Sequence, residues 1–368
     1  MSYYNILTGY QGFDFSGFFS HLEGSGLERA LAVDALDDKQ FLSLLSAQAA
    51  IYLEEMAQKA HKITLGHFGR TIQLYTPLYL SNHCDNHCLY CGFNIKNNIQ
   101  RKKLSLEELE NEARFIAATG MRHILILTGE SRKFSPVSYI KECIKILKKY
   151  FSSISIEIYP LNEEEYASLV KEGVDGLTIY QETYDEDVYK AMHAAGPKKE
   201  YLFRLDAPER AAKSFLHSIN LGVLLGLSDW RKDIFFLGLH ARYLQEKFPS
   251  IEIGVSVPRL RPQVGDFKAP FIVSDKDFAQ IILALRLFLP WAGITVSTRE
   301  SGQLREHLLP LGLTRLSAAS ATWVGGHTQE ESKSSAQFYT SDTRSVSQIK
   351  EMLEAKGYQP VFKDWERF

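Results

Sequence analysis

Three of the chain's four cysteines fall within SNHCDNHCLYCGF (residues 81–93), at Cys84, Cys88 and Cys91. Thiolates are soft ligands that suit zinc, copper(I) or iron–sulfur clusters. A structural zinc site closes with four ligands, and His83 or His87 could supply the fourth. The spacing is nevertheless unlike that of a zinc finger, whose two ligand pairs lie well apart. A four-iron cube takes one cysteine per iron, so three cysteines leave one iron open to a substrate or cofactor. The remaining cysteine, Cys143 in SYIKECIKILKK, reads as an inert thiol buried on a helix.

Other residues able to do chemistry stand at the ends of short apolar runs. Gly129 and Glu130 follow HILILT, where the glycine permits close backbone approach and the carboxylate can accept from an ammonium. Gln181 and Glu182 close GLTIYQE, and Gly226 lies in LGVLLGL. Arg204, in YLFRLDAPER, can meet a carboxylate bidentately. Arg259 and Arg261 in PRLRP and Arg299 in STRES are costly at such places unless paired, with Glu300 or with a substrate carboxylate. Ser317 and Ser320 offer small hydroxyl donors.

These groups must be held by the elements that precede them. Strands are expected at 71–80, 123–129, 153–160, 176–182, 221–227, 252–260, 293–300 and 314–320, with amphipathic helices between. SLEELENEARFIAATG, NEEEYASLVKEG and SDKDFAQIILALRLFL begin on Ser or Asn, as helix N-caps do. Eight strand–helix alternations predict an α/β fold, a (β/α)8 TIM-type barrel, with an open doubly wound sheet as the rival. The barrel is favoured because chemistry sits at its C-terminal strand ends, where all these polar residues fall. Residues 1–70 form an N-terminal helical extension, 71–322 the barrel, and 323–368 a polar C-terminal tail packing on it. Trp365 in the tail reads as a packing anchor.

The chain of 368 residues is 45% hydrophobic and 23% charged, which is globular composition. A net charge of -2 leaves no basic footprint for nucleic acid. No apolar run is long enough to span a membrane, and MSYYNILTGYQGF is not a signal peptide. Clustered cysteines rather than a disulfide framework point to a reducing, cytoplasmic setting.

C-x3-C-x2-C with Tyr90 before its last cysteine and Phe93 after it resembles the radical S-adenosylmethionine (SAM) superfamily. TPLYLSNHCDNHCLYCGF, LTGE, YQETY, VLLGLSDWR, SVPRLRP, VSTRES and VFKDWE, in that order, resemble its 2-iminoacetate synthases, or tyrosine lyases, and QAAIYLEEMAQKA extends the likeness upstream. The resemblance implies a barrel that cleaves the Cα–Cβ bond of L-tyrosine to 2-iminoacetate and p-cresol for thiamine thiazole synthesis. It implies a 4Fe–4S cluster and SAM, which is converted to methionine and 5′-deoxyadenosine. Cys84, Cys88 and Cys91 become the cluster ligands. Gly129, Glu130, Gln181, Glu182, Arg204 and Gly226 become SAM contacts, with Tyr90 and Phe93 flanking the cluster or the adenine. Arg299 becomes the holder of the tyrosine carboxylate, with Ser317 beside it. The thiazole synthase ThiG and an electron donor such as flavodoxin or ferredoxin become partners. The related hydrogenase-maturation tyrosine lyases use further C-terminal cysteines for a second cluster. With no cysteine after Cys143, that second stage is expected to be missing here. A tryptophan-lyase-like enzyme and a non-enzymatic zinc scaffold are the alternatives.

Overall fold

The computed structural model describes residues 2–329 and 335–363. Five helices come first: α1 (Tyr3–Gly9), α2 (Phe15–Ser20), α3 (Gly24–Ala32), α4 (Asp38–Leu44) and α5 (Leu53–Phe68). Eight parallel strands follow: β1 (Thr71–Ser81), β2 (His123–Thr128), β3 (Ser153–Glu157), β4 (Gly176–Glu182), β5 (Ser218–Val223), β6 (Glu252–Ser256), β7 (Gly293–Val296) and β8 (Arg315–Ser317). Each pairs with the next, and β8 pairs with β1, so the sheet closes into the expected barrel. Helices α6 (Leu106–Ala118), α7 (Val137–Leu147), α8 (Glu163–Glu172), α9 (Glu186–Met192), α10 (Tyr201–Leu205), α11 (Ala207–Lys213), α12 (Trp230–Lys247), α13 (Asp275–Phe288) and α14 (Gly302–Leu308) join them. Cys143 is fully buried on α7, within the main hydrophobic core.

Capping boxes at Ser105–Glu108, Asn162–Glu165 and Ser274–Asp277 start α6, α8 and α13, satisfying otherwise orphaned N–H groups in both directions. Helix α7 starts instead after Pro136, with no side-chain cap.

Strand β5 corrects the sequence reading. It runs Ser218–Val223, not 221–227. Ser218 and Asn220 face a lower lumen that is polar, with Ser153, Ser155 and Thr295 beside them. They therefore break the apolar pattern that marks a strand. The following leucines turn over the rim, where Leu224 N–H donates to Glu182 O and Leu225 pairs with Pro258 O.

The N-terminal helices clothe the outside of α12 and α13. Tyr3 O–H donates to Phe236 O at 2.6 Å, and Gln280 on α13 donates to Leu44 O. Beyond β8, a strap crosses the barrel mouth. Glu112 on α6 accepts from the N–H groups of His327 and Thr328 at 3.0 and 2.8 Å. Gln337 N–H donates to Thr322 O, and Tyr339 N–H to Pro262 O. A buried Arg305–Asp342 pair ties down its far end. Helix α15 (Val346–Ala355) and a ninth strand, β9 (Gln359–Val361), follow. Strand β9 was not anticipated; it pairs in parallel with Thr71–Gln73 of β1. Trp365 lies outside the described residues.

Candidate active site

The three cysteines sit on the loop after β1, facing a chamber of about 660 Å³. Several close approaches hold the loop there. Asp85 N–H donates to Glu130 O, and the main chains of His87 and Ala195 are joined. A Cβ on Gly129 would stand 2.3 Å from His83 O, and one on Gly196 2.4 Å from Asn86 Oδ1. Only glycine allows the loop to lie this close.

Burial pushes all three thiols up, Cys91 to about 11 and Cys88 further. Such thiols ionise only when a strong positive charge reaches them, as on metal binding. His83 stacks on Phe134 with ring centroids 3.9 Å apart. Three sulfurs lining one chamber are a soft donor set of the kind that iron–sulfur clusters take.

Phe93, Gly129, Glu130, Glu182 and Arg204 line the same chamber. Glu130 Oε2 accepts from Asn86 Nδ2 at 2.7 Å. Glu182 is 2.5 Å from Lys198 Nζ and 3.8 Å from the Arg204 guanidinium. Burial would raise its carboxyl, but the two cations outweigh that and hold it below the ordinary value. Its backbone is unusual, with φ +72 and a register shift between Tyr180 and Glu182. Such a bulge re-aims a side chain, so Glu182 and Tyr180 both face the chamber.

Gln181 is the residue this bulge displaces. It lines a separate small space with Tyr184, Leu205 and His240, so it does not join the cysteine chamber as expected. Gly226 also lies outside, on a turn beneath the loop of Ala269 and Phe271. Tyr90 is buried behind Cys88 with Leu224 and Leu227, and its hydroxyl is 2.8 Å from His193 Nε2.

Arg299 and Ser317 line an adjoining cavity of about 440 Å³, which shares Tyr79, Leu127, Glu157 and Tyr180 with the cysteine chamber. Ser317 Oγ accepts from Thr298 N–H at 3.0 Å. The three arginines of the rim separate clearly. Arg259 and Arg261 both donate to Glu300, which is 1% exposed. Arg299 lies on the Phe338 ring, 3.4 Å from its centroid, and among the described residues its guanidinium reaches only Arg259 O, at 3.5 Å.

The sequence reading missed the wall tyrosines Tyr79 and Tyr180 and three polar residues of the site. Lys198 sits in a single 3-10 turn, Pro197–Lys199, that carries no signature. Gln337 lies in the polar tail; its Nε2 is 3.8 Å from Cys91 Sγ, and its main-chain oxygen accepts from Gly92 N–H. Glu157 ends β3, and as the one charge within SISIEIYP it could have been noticed.

The radical SAM superfamily model matches residues 78–237, and the biotin and thiamin synthesis associated domain matches 256–359. The 2-iminoacetate synthase of Salmonella typhimurium is 38% identical over 92% of this chain and 90% of its own length. That of Escherichia coli is 38% identical over 93% and 91%. The crystal structure of the [FeFe]-hydrogenase maturase HydG from Carboxydothermus hydrogenoformans superposes with a TM-score of 0.85 at 33% identity, covering 98% of this chain and 83% of that one.

Proposed function

Since the chain belongs to the 2-iminoacetate synthases of the radical SAM superfamily, we propose that its two joined cavities divide the work of a tyrosine lyase. The enzyme is a carbon–carbon lyase that cleaves L-tyrosine. The observation that carries the division of labour is the shared wall of Tyr79, Glu157 and Tyr180 between the cysteine chamber and the Arg299 cavity.

An iron–sulfur cluster and SAM come with the family; in this reading the cluster is 4Fe–4S, held by Cys84, Cys88 and Cys91. Bound together, they would supply the chemistry of hydrogen-atom removal from the substrate. Glu130 and Glu182 offer carboxylates to the SAM ammonium, and Arg204 and Lys198 offer cations to its carboxylate. Phe93 gives an apolar wall. Arg299 holds the tyrosine carboxylate with Ser317 beside it, fixing the amino acid against the chamber. Fixed geometry of this kind is worth several kcal/mol of barrier, on the order of 7–11 at best. The strap through Gln337 and Phe338 keeps water from the imine product.

The division into residues 1–70, 71–322 and 323–368 is part of this reading, with the last part supplying the strap. So are a cytoplasmic location, a thiazole synthase such as ThiG as the taker of the imine, and flavodoxin or ferredoxin as electron donor. No described helix is long and apolar enough to cross a membrane.

The test is anaerobic. The protein is reconstituted with iron and sulfide and given dithionite, SAM and L-tyrosine. Formation of p-cresol and 5′-deoxyadenosine, both lost in Cys84→Ala, is the expected result. Deoxyadenosine without p-cresol would overturn tyrosine as substrate, and tryptophan would then be tried.

A further inference from the structure

Nearly every charge in the barrel mouth has a partner. Glu182 is matched by Lys198 and Arg204, Glu300 by Arg259 and Arg261, and Glu130 accepts from Asn86. Among the described residues that line the Arg299 cavity, two charges are left over. Among the described residues, the Arg299 guanidinium has only its long contact to Arg259 O and the Phe338 ring. Glu157 has no hydrogen-bond donor and no ion-pair partner among the described residues. The two do not pair with each other, yet they line one cavity. A free guanidinium and a free carboxylate held apart in one cavity are complementary to a zwitterion.

Resting on the tyrosine-lyase reading, we propose that Glu157 is the catalytic counterpart of Arg299: it receives the α-ammonium of tyrosine and accepts a proton from it. Glu157 lines both cavities, so an ammonium bound there stands at the junction with the cysteine chamber. The stoichiometry requires an acceptor. Tyrosine brings nitrogen as –NH3+, and the imine HN=CH–COO− keeps one of those hydrogens. One leaves as a hydrogen atom; the other leaves as a proton, breaking N–H and forming O–H on the carboxylate. The electron pair of that N–H bond stays on nitrogen.

The surroundings suit a base. Burial and the charge of Glu182 push the Glu157 carboxyl up to about 7, with Arg299, Arg204 and Lys198 opposing. Tyr75 and Tyr79 on β1 and Tyr180 on β4 also face it, while its β2 neighbour Leu127 is apolar. A base is most effective when its pKa lies near the working pH.

The test uses the reconstituted enzyme with SAM bound. Affinities for L-tyrosine and for 3-(4-hydroxyphenyl)propanoate, which lacks the amine, are measured for wild type, Glu157→Gln and Glu157→Asp at equal iron content. The wild type should prefer tyrosine at least about tenfold; Glu157→Gln should lose that preference, and its p-cresol rate should fall on the order of 10²-fold or more. The limb of the rate profile near pH 7 should vanish with it. Glu157→Asp should keep the preference at a reduced rate, which also serves if the glutamine variant does not fold. A glutamine variant that keeps both the preference and the limb overturns the proposal. A wild type that makes no p-cresol overturns the tyrosine reading itself, and this proposal with it.

Discussion

The Tyr79 hydroxyl donates to Gln337 Oε1 at 2.7 Å, although 258 positions separate the two in the chain. With its oxygen so engaged, the amide of Gln337 turns its N–H toward Cys91 Sγ. An N–H aimed at a cluster sulfur stabilises the more negative, reduced state. Gln337→Leu should therefore lower the midpoint potential of the reconstituted cluster in an EPR-monitored titration. An unchanged potential would show that the amide only fastens the strap.

Arg299 and Arg259 should fail in different ways. Truncating Arg299→Ala removes a charge that has no ion-pair partner among the described residues, so folding should be little affected while tyrosine affinity falls by about 2 kcal/mol, roughly 30-fold. Truncating Arg259→Ala leaves Glu300 in the interior with only Arg261, which should cost stability of about 3 kcal/mol or more. Equilibrium binding and thermal unfolding separate the two. Equal tyrosine affinity in Arg299→Ala would refute the carboxylate assignment.

Gly129→Ala should act on the cysteine loop. The added methyl meets His83 O at 2.3 Å, and the loop must shift, at a cost of about 1–3 kcal/mol. Iron bound per chain after reconstitution should drop, with the barrel still folded by circular dichroism. Full iron loading in this variant would count against the close approach.

Two buried histidines make the fold sensitive to acid. His193 and His240 are each 2% exposed, and burial holds both at about 3 instead of 6.5. Folded, they bind fewer protons than the unfolded chain between those values. Stability is then complete above about pH 6.5 and is lost as pH falls toward 3, by at most roughly 1.4 kcal/mol per group per pH unit. Urea midpoints measured from pH 7 to 4.5 should fall, and His240→Gln should flatten the fall. A midpoint that is level over that range would contradict the assignment.

The barrel was legible because its outward strand residues are apolar and its helices carry caps at Ser105, Asn162 and Ser274. Strand β5 was misplaced because Ser218 and Asn220 serve a polar lumen, which a hydrophobic pattern cannot register. The cysteine chamber was legible through residues adjacent in sequence: three thiols, then Gly129–Glu130 one strand later. Gln181 was not excluded because a bulge with positive φ at Glu182 is invisible to simple alternation. Gln337 was illegible for a different reason: its role depends on a fold-back across the whole barrel, and nothing local marks it.

That fold-back also sets a timetable. A ribosome adding about 5–20 residues per second needs roughly 13–50 seconds to travel the 258 positions from Tyr79 to Gln337. The thiols are among the first parts of the site to be made, and the segment that covers Cys91 is among the last. While the chain is being synthesised, the cysteine loop has no cover, so iron and sulfide have their widest access before the strap exists to close over them.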